Sequence, residues 1–134
     1  MSYREPSTEI DQLAHSIIGA AIEVHRNLGP GFLELLYEEA LSIELRLRGI
    51  VFERQKVISV AYKGYAIGES RLDLLVNQCL IVELKAVETL MPVHMAQVMS
   101  YLKATGCHVG LLINFNVPIL KNGIKRIVLS QSSL

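Results

Sequence analysis

Residues 71–87 read RLDLLVNQCLIVELKAV. Apolar, strand-forming side chains dominate this run, yet it carries Asp73, Glu83 and Lys85. The polar break Asn77-Gln78-Cys79 divides it into two strand-length pieces joined by a tight turn. A buried charge without a partner is costly or titrates to its neutral form. An acid in one buried strand, and an acid and a base two residues apart in the next, therefore need a reason other than packing.

Side chains at i and i+2 of a strand share a face. Glu83 and Lys85 thus point one way, while Val82 and Leu84 point into the other layer. The turn decides whether Asp73 joins them. A two-residue turn over Asn77-Gln78 sets Val76 against Cys79 and leaves Asp73 and Glu83 on opposite faces. A three-residue loop sets Val76 against Leu80 and Asp73 directly across from Glu83, and a β-bulge has the same effect on parity. Two carboxylates directly opposite repel each other. Lys85 offsets that repulsion in part. A divalent cation offsets it better, because hard cations take carboxylate oxygens and Mg²⁺ uses one or two carboxylates plus waters.

Outward from this hairpin, residues 7–28 have apolar side chains at helical spacing after a possible cap at Ser7 or Thr8. Gly29-Pro30-Gly31 stops that helix, and a second over 31–48 ends at Gly49. Strands follow at 51–62, 65–76 and 79–86, then a helix over 90–105 with Thr89 as cap and Pro92 in its first turn. Strands at 108–115 and 124–129 complete the order ααβββαββ, an α/β sandwich with a mixed sheet flanked by helices.

The 134 residues are read as one domain, 1–134, long enough to bury a core. Half of them are hydrophobic, which excludes a disordered chain. The formal net charge of zero gives no general attraction for nucleic acid, so any such contact has to be local. No apolar run reaches the ~18 residues of a membrane span, and the polar "MSYREPSTE" start is unlike a secretion signal. Cys79 and Cys107 form no CxxC pair, as expected of a reduced, cytoplasmic protein.

Asp73, Glu83 and Lys85 form the pattern Asp-x9-Glu-x-Lys on consecutive strands, which resembles the PD-(D/E)xK nuclease superfamily. Gly31, Glu34 and Tyr37 supply G-x-x-E-x-x-Y, and with them the chain looks like the small family named for that motif, the GxxExxY proteins. The resemblance runs from about Leu28 to Ile113. It implies a restriction-endonuclease-like α-β-β-β-α-β core, here with an extra N-terminal helix. It also implies that Asp73 and Glu83 hold Mg²⁺ or Mn²⁺, that Lys85 orients or activates the attacking water, and that Glu34 completes the site. Gln97 and Tyr101 match the Q-x-x-x-Y motif of the RecB-like branch. Leu72 stands where the superfamily often has a proline.

Helical spacing bears on two of these positions. Glu34 heads a stripe with Leu41 and Leu45, and Leu36, Ala40, Ile43 and Leu47 face the opposite way; Glu38, one turn on, is the runner-up acid. His94, Gln97 and Tyr101 share one stripe of the third helix, beside a core stripe of Met95, Val98, Met99 and Leu102. His15 and His25 read as core-edge residues, and His94 as a neighbour of the site. Lys121, Lys125 and Arg126 read as a solvated basic edge, and Tyr62 and Tyr65 as a packed cross-strand pair.

The expected activity is metal-dependent hydrolysis of nucleic-acid phosphodiesters, DNA foremost, with the Leu84 carbonyl as a further possible ligand. Glu34 is expected to hold a water on the metal, or a second metal. The alternative is a non-catalytic binding or assembly module that keeps the fold. So apolar a short chain is also expected to form a homodimer.

Overall fold

Two amphipathic helices open the chain, and each buries one stripe on the same side of a sheet. Helix α1 spans Thr8–Leu28 and buries Ala14, Ile17, Ala20, Ala21 and Val24. Helix α2 spans Glu34–Leu47 and buries Tyr37, Leu41 and Leu45, the stripe that Glu34 heads. In this computed structural model, residues 8–130 are described. The expected cap at Ser7 lies outside them, and Thr8 is already helical.

Strands β1 (Phe52–Tyr62), β2 (Tyr65–Val76) and β3 (Leu80–Lys85) run as an antiparallel meander. Helix α3 (Pro92–Thr105) then crosses over to β4 (Val109–Asn114), which pairs parallel to β3. Antiparallel β5 (Ile124–Val128) closes the sheet, in the order β1-β2-β3-β4-β5. This is the α/β architecture expected, a mixed sheet flanked by helices and consistent with the restriction-endonuclease-like fold. The parallel β3–β4 pair is what makes the intervening helix obligatory, since parallel neighbours need a long crossover.

Both faces of the central part of the sheet are covered, while the far end of the β1–β2 hairpin is exposed. Leu74, Val82, Leu84 and Leu111 pack with α1 and α2, while Leu72, Ile81 and Leu112 pack with Val98 and Leu102 of α3. Strands β3 and β4 are buried on both faces, which explains their unbroken apolar runs. Helix α3 lies so close to β4 that a Cβ at Gly110 would stand 2.7 Å from the Val98 side chain. No described helix is long and apolar enough to cross a membrane.

Three local readings change. Helix α2 starts at Glu34 rather than at 31, because Gly31 adopts a φ of +109° and Leu33 is extended. The cap of α3 is Met91, not Thr89: Pro92 takes the first helical position, and the His94 ring accepts the Met91 N–H at 2.9 Å. His25 sits at the core edge as expected, its Nε2 2.7 Å from the Val117 carbonyl, whereas His15 is exposed.

Candidate functional site

The site starts with the turn between β2 and β3. Asn77 and Gln78 both take left-handed backbone, with φ of 50° and 59°, and the Cys79 N–H bonds the Val76 carbonyl at 3.0 Å. The loop therefore has three residues, and the register is Val76 with Leu80, Leu75 with Ile81 and Leu74 with Val82. The next pair in that register is Asp73 and Glu83. There the backbone ladder ends and carboxylates replace carbonyls. The Asp73 N–H donates to Glu83 Oε2 at 2.6 Å, and the Leu84 N–H donates to Asp73 Oδ2 at 2.8 Å. Each acid thus closes a gap that the parting strands leave.

Both acids are held where charge is unwelcome. Glu83 is buried, and burial, with the negative charge of Asp73 next, pushes its carboxyl up to about 8. The Asp73 N–H and the Lys85 ammonium oppose that rise without cancelling it. Asp73 is likewise raised by burial, against the bond from the Leu84 N–H. Glu34 is raised by burial and then by Asp73, while Lys85 pulls it down; the field of the pair reaches it at the start of α2.

Lys85 lies on the same side of β3 as Glu83, and its Nζ bonds Gln97 Oε1 of α3 at 3.3 Å. Gln97 therefore reaches the site through Lys85. Tyr101, one turn later, is buried and its hydroxyl accepts a 3.3 Å bond from Ser70, so it ties α3 to β2. The Tyr37 hydroxyl donates to the Gly29 carbonyl at 2.6 Å and accepts the Phe32 N–H at 3.1 Å, and its ring stacks on Phe115 with centroids 4.6 Å apart. Gly31 meanwhile supplies the left-handed turn. The G-x-x-E-x-x-Y residues so act together: Gly31 and Tyr37 set the loop that presents Glu34 at the head of its helix.

A model of the PD-(D/E)XK nuclease superfamily matches residues 11–127, from α1 into β5. The chain belongs to that superfamily. No curated protein and no solved structure matches it. Asp73 and Glu83 meet across two neighbouring strands, and Lys85 stands two residues beyond Glu83 on β3.

The donor set available to a cation is two hard carboxylates. Among the described residues, no three His, Cys, Asp or Glu side chains converge to hold a metal ion. Two carboxylates plus waters is nonetheless a complete protein contribution for Mg²⁺. Each bonded oxygen of Asp73 and Glu83 also keeps a second lone pair. The residues fit a divalent ion at the pair.

Three residues around the site were missed from sequence or ranked second there. Glu38 is only 3 % exposed; Arg54 holds it through two guanidinium bonds of 3.2 and 3.0 Å, and Gln55 bonds both of its oxygens. Gln55 also donates to Asp73 Oδ1 at 3.4 Å. A polar triplet at the start of a strand, Glu53-Arg54-Gln55, was the available signal, and it reads as an ordinary solvated strand end. Tyr62 and Tyr65 do pair across the β1–β2 turn, yet both rings are exposed rather than packed. In the C-terminal basic cluster, Arg126 is engaged by Asp11, and Lys121 and Lys125 are exposed.

Proposed function

We propose that this single nuclease-like domain hydrolyses phosphodiester bonds of nucleic acid, DNA foremost, with Mg²⁺ or Mn²⁺ held by Asp73 and Glu83. The observation that carries the reading is the pair itself. Two acids face each other at the end of a ladder, both forced above their ordinary range, with one lysine to balance them. A fold maintained for packing alone would replace that pair with apolar residues at a gain in stability.

When bound, a divalent cation supplies Lewis-acid polarisation of the phosphoryl group. Lys85, restrained by Gln97, presents its ammonium to the attacking water and to the non-bridging phosphate oxygens, offsetting charge as it develops. Glu34 accepts a hydrogen bond from water at the mouth of the site, and its raised carboxyl suits it to take up a proton there. Tyr101 and Ser70 hold α3 against β2, so that Gln97 keeps its place. The Leu84 carbonyl remains the candidate for a further ligand.

A homodimer is part of the same proposal. The outer stripe of α2 leaves Leu36 and Ile43 each 49 % and Leu47 76 % exposed. A groove of about 250 Å³ lined by Leu28, Phe32, Leu36, Ala40 and Ile43, with Glu39 at its side, adjoins it. This apolar face also supports the second reading, an assembly module that keeps the nuclease fold without activity.

Mn²⁺-dependent cleavage of single- and double-stranded DNA and RNA separates the two, with Glu83→Ala as the control. The nuclease reading expects cleavage that Glu83→Ala abolishes and a Mn²⁺-induced rise in Tm that Asp73→Ala removes. A wild type with neither response leaves only the assembly reading.

A further inference from the structure

Strand β1 meets β2 with Arg54 opposite Leu74 and Lys56 opposite Leu72, which puts Gln55 opposite Asp73. Gln55 has a φ of +51°, left-handed backbone near the start of strand β1 and unfavourable for any residue but glycine and, to a lesser degree, asparagine or aspartate. The hairpin turns over at this point. Leu72 and Leu74 are two residues apart and would share a face in a regular strand, yet Leu72 packs with the α3 layer and Leu74 with the α1–α2 layer. A turnover alone would be served best by glycine. The glutamine side chain is therefore retained at a cost, and its contacts show its use: Nε2 donates to Glu38 Oε1 at 3.0 Å, to Glu38 Oε2 at 3.2 Å and to Asp73 Oδ1 at 3.4 Å.

We propose that Gln55 is a positioning residue that clamps Asp73 to helix α2. Asp73 stands past the last backbone pair of β2 and β3, so no ladder fixes it on that side. The Leu84 N–H holds one carboxylate oxygen, and Gln55 holds the other. Glu38 anchors the far end of the clamp; it is itself buried and immobilised by Arg54. The Asp73 carboxylate is thereby aimed with a free lone pair on each oxygen, and the aim is set jointly by α2, which also carries Glu34. Backbone strain at Gln55 is the cost of this arrangement, as is common where a local conformation serves a site.

The clamp itself stands on geometry alone; its consequence for metal binding rests on the nuclease reading. Gln55→Gly removes the carboxamide and relieves the backbone, while Gln55→Asn tolerates the left-handed backbone but is one methylene too short to span Glu38 and Asp73. In metal-free protein, both variants are expected to melt no lower than wild type, yet to exchange the Leu84 amide proton about tenfold faster, because its acceptor is loosened. Calorimetric titration with Mn²⁺ is expected to show roughly tenfold weaker binding in both, the loss typical of a removed supporting hydrogen bond. Unchanged Leu84 exchange in the two variants overturns the clamp. If wild type itself takes up no Mn²⁺, the metal reading fails, and Leu84 exchange still decides the role of Gln55. Should Gln55→Gly melt lower, Gln55→Asn, with the same backbone tolerance, reads the clamp separately from the fold.

Discussion

Glu83 should make the metal-free protein lose stability as pH rises, in a manner that can be measured. Its carboxyl rises from 4.5 to about 8 because burial and the facing Asp73 both penalise the charged form. A carboxyl raised on folding binds its proton more tightly in the native state. Its contribution is then fully present below the unfolded value near 4.5 and is lost as pH climbs through about 8. At about 1.4 kcal/mol per unit, the whole shift is worth on the order of 5 kcal/mol. Relaxation and water entry once the pair ionises reduce this, and about 2–3 kcal/mol is the expected loss between pH 5 and pH 9. Glu83→Gln keeps an oxygen to accept the Asp73 N–H but carries no charge. Urea unfolding in EDTA should therefore find the variant about 2–3 kcal/mol more stable than wild type at pH 9, a Tm gain of roughly 10 °C. Near pH 4.5 the difference should vanish. A wild type whose stability stays level from pH 5 to 9, with a variant no more stable at pH 9, would refute the argument.

The remaining predictions concern the lysine and the outer face of α2. Lys85→Ala should retain Mn²⁺ binding in calorimetry while hydrolysis falls by at least ~10²-fold, the scale of losing one transition-state donor. Lys85→Arg should restore Tm but little rate, since a guanidinium fork does not reproduce a compact ammonium; equal rates in wild type and Lys85→Ala would reduce the lysine to a counter-ion. Ile43→Glu, on the exposed stripe opposite the buried one, should convert a homodimer to a monomer in light scattering at micromolar concentration. A wild type already monomeric there removes the dimer from the proposal.

Sequence patterning was most informative where periodicity and burial agree. Leu41 and Leu45 mark the buried side of α2, and Leu36, Ile43 and Leu47 its outer side, as their spacing indicates. The β2–β3 turn was legible only as alternatives, because Asn and Gln fit either loop length. Its register was settled by two successive left-handed residues, Asn77 and Gln78. The start of α2 was misplaced because Gly29-Pro30-Gly31 punctuates the chain without saying how far the irregular backbone extends. Tyr37 answers that: its hydroxyl bonds backbone on both sides of the loop, a long-range use that no local pattern reveals.

What stayed illegible is concentrated at one place, and the reason is physical. Propensity predicts a regular strand through Arg54, Gln55 and Lys56, and glutamine argues against left-handed backbone there. The structure breaks both expectations opposite Asp73, where β2 leaves β3 and the hairpin changes face. Local rules fail where tertiary contacts over-determine a residue, and such sites tend to be functional. Here the over-determining contacts run from Arg54 to Glu38, from Glu38 to Gln55 and from Gln55 to Asp73. The sequence displays the acids because their type is unusual in an apolar strand. It hides their support, because Arg and Gln at a strand end look like any solvated surface. The motif thus names the acids, and only the fold shows what holds them.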